Sequence, residues 1–364
     1  MEHSINNKKS NEDETMKIMG LDIGGANTDC AIIEINDEKQ IKSIKKSKEY
    51  LPMWIENDKL PECLLKLSQD DLDSIDVVCV TMTAELADSY ESKTEGVLDI
   101  SKKVMTIFND KIVKFVTFDG LKSYDDILEN PLNAAAANWV GTSNAIKYIK
   151  NNCIFMDMGT TTTDIIPIIN KQNIAKHTDV ERLGSGELVY TGMLRTNIAT
   201  IVHSIPIYNI DTSVSSELFT ITADVHRILG NITQEEYTCN TPDNKDKDIV
   251  SCKRRLSRLV CADLDSLTDE TINNMAQYIY KKQVNQVLTG LIKVVEKTGL
   301  DTVVISDFGH GNICKNAAKQ LGLNIINIDE YISKEATSII TTIGAIQMYV
   351  EEYISQDFPL IQYI

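Results

Sequence analysis

The strongest constraint on the fold of this chain is a short motif that occurs twice, each time between two apolar runs. One copy is Asp157–Asp164 (DMGTTTTD), which follows the apolar residues 153–156 and precedes the apolar residues 165–169. We interpret it as a strand, a tight hydroxyl-rich turn and a second strand. Glycine lets the backbone approach an anion closely, and the N–H groups and threonine hydroxyls of such a turn can bind phosphate oxygens.

The other copy lies near the N-terminus, where residues 18–29 read IMGLDIGGANTD and an apolar run follows. In both copies an aspartate, Asp22 or Asp157, ends the first strand. Such a carboxylate can hold Mg²⁺, directly or through water, beside phosphate oxygens. Two strand–turn–strand units of this kind indicate two similar halves of the protein that face one ligand.

A third turn follows a late apolar strand, residues 301–305, and has the sequence SDFGHGN over residues 306–312. Its glycines, Gly309 and Gly311, precede a predicted helix, and residues at the carboxyl ends of such strands line the ligand crevice of open α/β sheets. His310 lies between the two glycines, where it either contacts substrate or only fills the turn. The sequence contains neither a Walker-type phosphate loop nor a Gly-x-Gly-x-x-Gly fingerprint.

Composition limits the classes of function. The 364 residues suffice for two domains, and the net charge of −17 argues against binding to nucleic acid, which needs a basic face. No apolar run approaches the length of a membrane span, and the polar residues 1–16 are predicted to be a disordered tail, not a signal peptide. We therefore expect a cytoplasmic protein that acts on small molecules, and homo-oligomerisation is left open.

The eight cysteines are scattered singly, without a Cys-x-x-Cys pair, as expected for reduced cytosolic thiols. A zinc site is the alternative, although its spacings match no usual pattern; it would use Cys239, Cys252, Cys261 and His226. A basic cluster faces either an anionic substrate or solvent, and it consists of Lys253, Arg254, Arg255 and Arg258.

The predicted elements follow the order β-β-β-α-β-α-β-α twice. This order predicts a first domain over residues 17–150 and a second over residues 151–364, with a helical insertion at about 205–300. In the second half, residues 173–177 are predicted as the third strand and residues 334–349 as a closing helix. The predicted fold class is α/β.

This order, with its three turns, resembles the superfamily of acetate and sugar kinases, Hsp70 and actin. The resemblance implies two facing ribonuclease-H-like (actin-like ATPase) domains with mixed sheets and a central cleft. Within that superfamily the chain is more similar to the hydantoinase/oxoprolinase branch, and there to archaeal proteins of methanofuran biosynthesis. The stretches that carry this similarity are 20–28, 80–88, 157–167, 186–192 and 260–263.

The resemblance implies a transferase that joins an aminomethylfuran methyl diphosphate to the phenol of γ-glutamyltyramine and releases diphosphate. Asp22 and Asp157 would then bind Mg²⁺, and the general base would be Asp29, Asp164 or Glu85. Asp29 and Asp164 could equally serve only to cap their turns. The groups expected to bind the diphosphate are Gly24, Gly25, Asn27, Thr28, Gly159, Thr160, Thr161, Thr162, Gly309 and Gly311.

Two other classes of function remain open at this stage. One is an ATP-dependent kinase or amide hydrolase of the same superfamily. The other is a non-catalytic nucleotide-binding module, against which the intact glycine turns and the lack of an evident peptide-binding domain argue.

Overall fold

A computed structural model of the protein describes residues 15–363, apart from the side chains of residues 334 and 335. The predicted tail, residues 1–16, lies outside the described residues except for Thr15 and Met16, which belong to the first strand.

The strands within the described residues are β1 (Thr15–Ile23), β2 (Asn27–Asn36), β3 (Ile41–Tyr50), β4 (Val77–Met82), β5 (Ile112–Thr117), β6 (Gly120–Lys122), β7 (Cys153–Met158), β8 (Thr163–Ile169), β9 (Gln172–Asn173), β10 (Leu188–Val189), β11 (Ser204–Ile207), β12 (Ile210–Ser213), β13 (Thr302–Asp307) and β14 (Asn324–Asn327). The α-helices of the same part of the chain are α1 (Met53–Glu56), α2 (Leu60–Ser68), α3 (Lys93–Ile107), α4 (Tyr124–Glu129), α5 (Asn138–Ile146), α6 (Asp179–Ser185), α7 (Thr222–Ile228), α8 (Ile249–Arg258), α9 (Asp269–Thr298), α10 (Ile313–Gln320), α11 (Lys334–Thr337) and α12 (Ile340–Tyr349).

The chain divides into two compact units. Unit 1 contains the residues up to Ala145 together with those from Ser338 onwards, and unit 2 is Ile146–Thr337. Unit 1 has a six-stranded mixed sheet in the order β3-β2-β1-β4-β5-β6. The first three strands are antiparallel neighbours, whereas β4 runs parallel to both β1 and β5.

Exposure differs sharply between the centre and the edge of this sheet. All six residues of β4 are buried, as expected for a strand that is covered on both faces. Strand β3 lies at the edge, and its sequence, IKSIKKSKEY, carries four lysines. Charged side chains on an edge strand oppose pairing with another sheet.

Unit 2 repeats the same plan. Its main sheet has the order β10-β8-β7-β13-β14, with β9 also paired to β8. Strands β7 and β8 form the antiparallel hairpin, and β13 lies parallel to β7 and β14. An antiparallel meander followed by parallel crossovers in both units confirms the predicted α/β, ribonuclease-H-like fold. The predicted third strand at 173–177 is much shorter, because β8 pairs with the two-residue strands β9 and β10 instead.

The end of the chain differs from the predicted domain boundaries. Residues 338–363 belong to unit 1, not to a second domain that continues to residue 364. The physical reason is close packing at glycine: a Cβ on Gly20 of β1 would lie 2.5 Å from the Thr342 carbonyl oxygen of α12. A Cβ on Gly344 would come still closer to the Gly141 carbonyl of α5. Small residues at both contacts let α12 pack directly on unit 1.

The insertion of unit 2 is a mixture of a β-hairpin and helices. Strands β11 and β12 form the hairpin, and α7, α8 and the 30-residue helix α9 follow. Side chains from these elements form an apolar cluster of their own, which includes Ile205, Leu256 and Ile279. The insertion was predicted to be helical, and the hairpin is an addition to that prediction.

The basic cluster serves largely to hold this insertion together. The Arg255 guanidinium is completely buried, and its Nη2 donates to Asp224 Oδ1 at 2.7 Å. Its Nη1 donates to Asp243 Oδ1 at 3.0 Å, and Arg258 pairs with the same aspartate. A buried guanidinium with two carboxylate partners is not available to an anionic substrate.

We expect Arg255→Met to lower the free energy of unfolding by roughly 3–5 kcal/mol, because Asp224 would remain buried without its cation. Arg254→Met on the same helix is the matched control, with a change within about 0.5 kcal/mol. Thermal unfolding of the two variants beside the wild type measures the difference. Equal midpoints for the two variants would contradict the structural role of Arg255.

Candidate active site

The first acidic turn joins β1 to β2. The Gly24 N–H donates to the Asn27 carbonyl oxygen at 2.9 Å and closes the turn. Asp22 and Asp29 are directly paired across the hairpin, so their side chains lie on the same face. On the other side of β1, the Thr81 hydroxyl of β4 donates to Asp22 Oδ1 at 2.8 Å. Asp22 is thus held between two neighbouring strands.

The second acidic turn has the same construction between β7 and β8. The Gly159 N–H donates to the Thr162 carbonyl oxygen at 3.0 Å. Asp157 is paired with Asp164 across the hairpin and with Ser306 on the parallel strand β13, whose hydroxyl hydrogen-bonds the Asp157 carboxylate. The aspartates are seven residues apart in both motifs, and each first aspartate has a hydroxyl partner from its parallel neighbour.

Both first aspartates have raised pKa values. Burial raises the pKa of Asp157 to about 7, with further contributions from the negative charges of Asp164 and Asp307. Burial likewise raises the pKa of Asp22 to about 6; the Thr81 hydrogen bond opposes this effect and the charge of Asp29 adds to it. Two carboxylates that face each other in a partly desolvated site favour a bound cation or proton.

The second aspartate of each pair has a basic partner. In unit 1 the Lys48 ammonium lies 3.1 Å from Asp29 Oδ1, and burial still raises the pKa of Asp29. In unit 2 the buried Arg182 donates to Asp164 Oδ1 at 2.6 Å. Arg182 also donates to the Glu187 carbonyl oxygen and thereby ties α6 to β10. These ion pairs fix the orientation of Asp29 and Asp164.

Two predicted site residues are buried. Thr28 has no exposed surface, so in this structure neither its hydroxyl nor its backbone is open to a ligand. Glu85 is 1% exposed and lies in the short helical turn after β4. A Cβ on Gly96 of α3 would lie 2.3 Å from the Glu85 carbonyl oxygen, so α3 packs directly against this segment.

The threonines of the second turn are half-buried, and Gly159 is exposed. The turn rests on residues 191–195. The Thr160 carbonyl accepts from the N–H groups of Leu194 and Arg195, both at 3.0 Å, and that of Gly159 accepts from Met193 at 3.1 Å. A Cβ on Gly192 would lie 2.5 Å from backbone atoms of Thr161. Residues 191–195 therefore hold the turn through its carbonyl groups, and they accept no hydrogen bond from the N–H groups of Thr160–Thr162.

A buried polar network connects this support to the third turn. Gln283 of α9 donates from Nε2 to the Gly192 carbonyl at 2.9 Å, and its Oε1 lies 2.9 Å from His226 Nε2. This arrangement places the ring proton on Nε2, so Nδ1 accepts from Asn231 Nδ2 at 3.0 Å. Burial lowers the pKa of His226 to about 4, which keeps the ring neutral. The Asn231 carbonyl accepts from the His310 N–H at 2.8 Å.

At the third turn Gly309 has a positive φ of 70°, and Gly311 accepts a hydrogen bond from the Tyr280 hydroxyl at 2.7 Å. Asp307 precedes this turn, and its Oδ1 accepts from the Cys314 N–H at the start of α10. Burial raises the pKa of Asp307. His310 is exposed, and its side chain lines a cavity beside the turn.

The donor chemistry of each acidic turn fits Mg²⁺. Carboxylates and hydroxyls are the hard oxygen ligands that this ion prefers, and burial of Asp22 and Asp157, which raises their pKa values, favours a neutralising cation or proton beside them. Over residues 15–363 no group of three or more His, Cys, Asp or Glu side chains has metal-binding geometry, the proposed zinc set included. Seven cysteines are buried and Cys261 is exposed; all eight are free thiols.

Several functional residues were not predicted from the sequence. Thr81 and Ser306 are the hydroxyl partners, and Lys48 and Arg182 hold the second aspartates. The sequence offered a signal for Thr81 and Ser306, because each lies near the carboxyl end of an apolar strand that was expected to pair beside an acidic turn. No local pattern distinguishes Gln283 from other polar residues of α9.

Comparison with known proteins identifies the family. The sequence profile of the hydantoinase/oxoprolinase family matches residues 76–351. The chain belongs to the hydantoinase/oxoprolinase family. A relative from Methanocaldococcus jannaschii, (4-{4-[2-(gamma-L-glutamylamino)ethyl]phenoxymethyl}furan-2-yl)methanamine synthase, is 40% identical over 325 residues, which are 88% of this chain and 94% of the relative.

A relative of the same name from Methanococcus vannielii is 41% identical over 194 residues, or 52% of this chain and 86% of that protein. Among solved structures, a glucokinase of the ROK family from Streptomyces griseus aligns with 90% of this chain and 97% of its own, at 9% identity and a TM-score of 0.46. The fold assignment rests on the strand order given above.

None of the helices within residues 15–363 is long and apolar enough to cross a membrane.

We expect Gly192→Ala to distort the second turn, because the added methyl group would overlap the backbone of Thr161. Activity should fall at least tenfold. Gly184→Ala is the matched control, since a Cβ there meets no atom within 4 Å, and it should retain normal activity. Steady-state assays of both variants check this. Normal turnover by Gly192→Ala would mean that the position of the turn is unimportant.

The raised pKa of Asp157 predicts a pH-dependent stability difference. An unfolded aspartate titrates near pH 4, so between about pH 4 and 7 the native carboxyl binds a proton that the unfolded one has lost. The stability contributed by Asp157 is thus present at low pH and is lost as pH rises through 7. In metal-free buffer, Asp157→Asn should equal the wild type at pH 4 and exceed it by about 1 kcal/mol or more at pH 8.

Thermal unfolding of the wild type and Asp157→Asn from pH 4 to pH 8 measures this difference. Parallel pH profiles of the two proteins would refute a raised native pKa at Asp157.

Proposed function

We propose that this protein joins an aminomethylfuran methyl diphosphate to the phenol of γ-glutamyltyramine, with release of diphosphate, in methanofuran biosynthesis. The observation that carries the proposal is the 40% identity to a synthase whose name describes the ether product of this reaction. The aligned residues cover 94% of that synthase. The two acidic turns support it, since each combines a glycine turn suited to phosphate oxygens with a carboxylate suited to a divalent cation.

The proposed reaction breaks one C–O bond and forms another. The bond between the furan-bound methylene carbon and the diphosphate breaks, and its electron pair leaves with the diphosphate. The furan ring delocalises the positive charge that develops on the methylene carbon. The phenol oxygen then bonds to that carbon, and the phenol proton passes to a base on the protein.

Residues of both turns are proposed to bind the diphosphate. The Gly24 and Gly159 N–H groups close their own turns, so the backbone donors suited to phosphate oxygens are those of Gly25 and Asn27 in unit 1 and of Thr160–Thr162 in unit 2. The half-buried hydroxyls of the same threonines are suited to phosphate oxygens as well. Asp22 and Asp157 would hold Mg²⁺, directly or through water. When bound, the ion supplies positive charge that stabilises the departing diphosphate.

Asp29, Asp164 and Glu85 are the proposed candidates for the base. A free phenol has a pKa near 10, so its proton must leave as the new bond forms. Burial raises the pKa of Asp29 and makes its carboxylate more basic. Asp164 is bound to the buried Arg182, and Glu85 is 1% exposed. The lysine that pairs with Asp29, Lys48, is 56% exposed, so Asp29 is the first to test.

The decisive experiment measures diphosphate release with each substrate alone, with both together, and with ATP in parallel. We expect one diphosphate per ether formed, only when the phenol is present, and with no need for ATP. Asp22→Asn and Asp157→Asn should each lower the rate at least a hundredfold, because a charge that holds the cation is lost. Asp58→Asn, at a side chain that is 97% exposed, is the matched control.

Other outcomes assign a different function. ATP turnover without the furan substrate would support a kinase or amide hydrolase and reject the proposal. Near-normal ether formation by Asp157→Asn would remove that residue from the mechanism. Because the same variant is expected to be more stable than the wild type at pH 8, loss of its activity could not be attributed to unfolding.

A further inference from the structure

A cavity of about 320 Å³ lies beside the third turn, entirely within unit 2. Its walls come from the carboxyl ends of β13 and β14 and from the first turn of α10. Ser306, whose hydroxyl bonds the Asp157 carboxylate, is one of the lining residues. The cavity therefore begins one strand away from the second acidic turn.

The charges that line the cavity are of both signs. Asp307, Asp329 and Glu330 are acidic, and Lys315 is basic. Asp307 is half-buried and accepts a hydrogen bond from the start of α10, whereas Asp329 and Glu330 are exposed. Asp329 Oδ1 accepts from the Thr337 hydroxyl at 3.4 Å. Glu330 Oε1 accepts from Asn327 Nδ2 at 2.8 Å, and this bond orients it at the rim.

Lys315 acts on the Asp307 carboxyl, where its positive charge opposes the pKa increase caused by burial. Among the described side chains, no carboxylate lies within ion-pair distance of the Lys315 ammonium, and no lysine or arginine pairs with Asp329 or Glu330. A nucleotide would bring more negative charge to a wall with three carboxylates. A ligand with an ammonium and a carboxylate close together matches the wall better.

We propose that this cavity binds the α-amino acid end of the phenol substrate, its ammonium at Asp329 and Glu330 and its carboxylate at Lys315. The inference rests on the proposed function, because a γ-glutamyl amine keeps both its α-ammonium and its α-carboxylate. That end is the part of the substrate farthest from the reacting phenol. Strands β7, β13 and β14 are successive neighbours, so the rim at β14 lies roughly 10 Å from β7, two strand spacings away.

The test compares two phenols, γ-glutamyltyramine and tyramine, in wild type, Lys315→Met and Asp329→Asn/Glu330→Gln. For the wild type, kcat/KM should be higher with γ-glutamyltyramine. Each variant should raise the KM for γ-glutamyltyramine about tenfold or more, as expected for a lost charged hydrogen bond. The KM for tyramine and for the furan diphosphate should stay unchanged.

Lys319→Met is the matched control, because Lys319 is an exposed lysine of the same helix that does not line the cavity. It should behave as the wild type with both phenols. Thermal unfolding of all variants in the absence of substrate shows that each is folded.

Three results would overturn the inference. The first is an equal loss of kcat/KM for both phenols in Lys315→Met. The second is a higher KM of that variant for the furan diphosphate instead. The third is binding of adenosine in competition with γ-glutamyltyramine. Failure of the proposed function is distinct, since the wild type would then release no diphosphate with either phenol.

Discussion

The constraint that shapes both acidic turns is the repulsion between two aspartate carboxylates that lie opposite each other in a β-hairpin. In each unit a β-hairpin places two aspartates directly opposite each other, Asp22 with Asp29 and Asp157 with Asp164. Like charges at such positions destabilise a hairpin, and partial burial adds to the cost. Pairing of the second aspartate with Lys48 or Arg182 offsets part of it. What remains is a pair of partly buried carboxyl groups with raised pKa values, Asp22 and Asp157, one in each unit.

Contacts around the second turn hold Asp157 and Asp164 opposite each other in spite of their repulsion. Gly192 lets residues 191–195 lie against the turn, and Gln283 binds the Gly192 carbonyl from the long helix α9. Through His226 and Asn231 the same network reaches the backbone of the third turn. The insertion therefore does more than extend unit 2, because α7 and α9 supply the polar groups that connect its two glycine turns.

The sequence predicted the hairpins well, because register and turn length are local properties. A seven-residue interval between aspartates across a short glycine turn fixes both strands and places both carboxylates on one face. The duplicated order of elements likewise predicted the α/β, ribonuclease-H-like fold, and the family resemblance is confirmed by the profile match and by the 40% identical relative. The cleft between the domains, the bound Mg²⁺ and the roles of the site residues stay predictions.

What the sequence did not predict depends on contacts between distant segments. Thr81 lies 59 residues from Asp22 in the chain, and only the parallel pairing of β1 with β4 brings them together. The return of α12 to unit 1 depends on close approaches at Gly20 and Gly344, which look like ordinary helix and strand positions in one dimension. The basic cluster also needed tertiary information, since burial of Arg255 depends on Asp224 of another helix.

The binding of diphosphate and Mg²⁺ at the acidic turns is tested most directly by a crystal structure of the protein with Mg²⁺ and an unreactive bisphosphonate analogue of the furan diphosphate. We predict phosphonate oxygens within hydrogen-bond distance of the backbone N–H groups of Thr160–Thr162, and the metal ion beside the Asp157 carboxylate. Phosphonate groups bound at any other surface, with no ion near either acidic turn, would contradict this prediction.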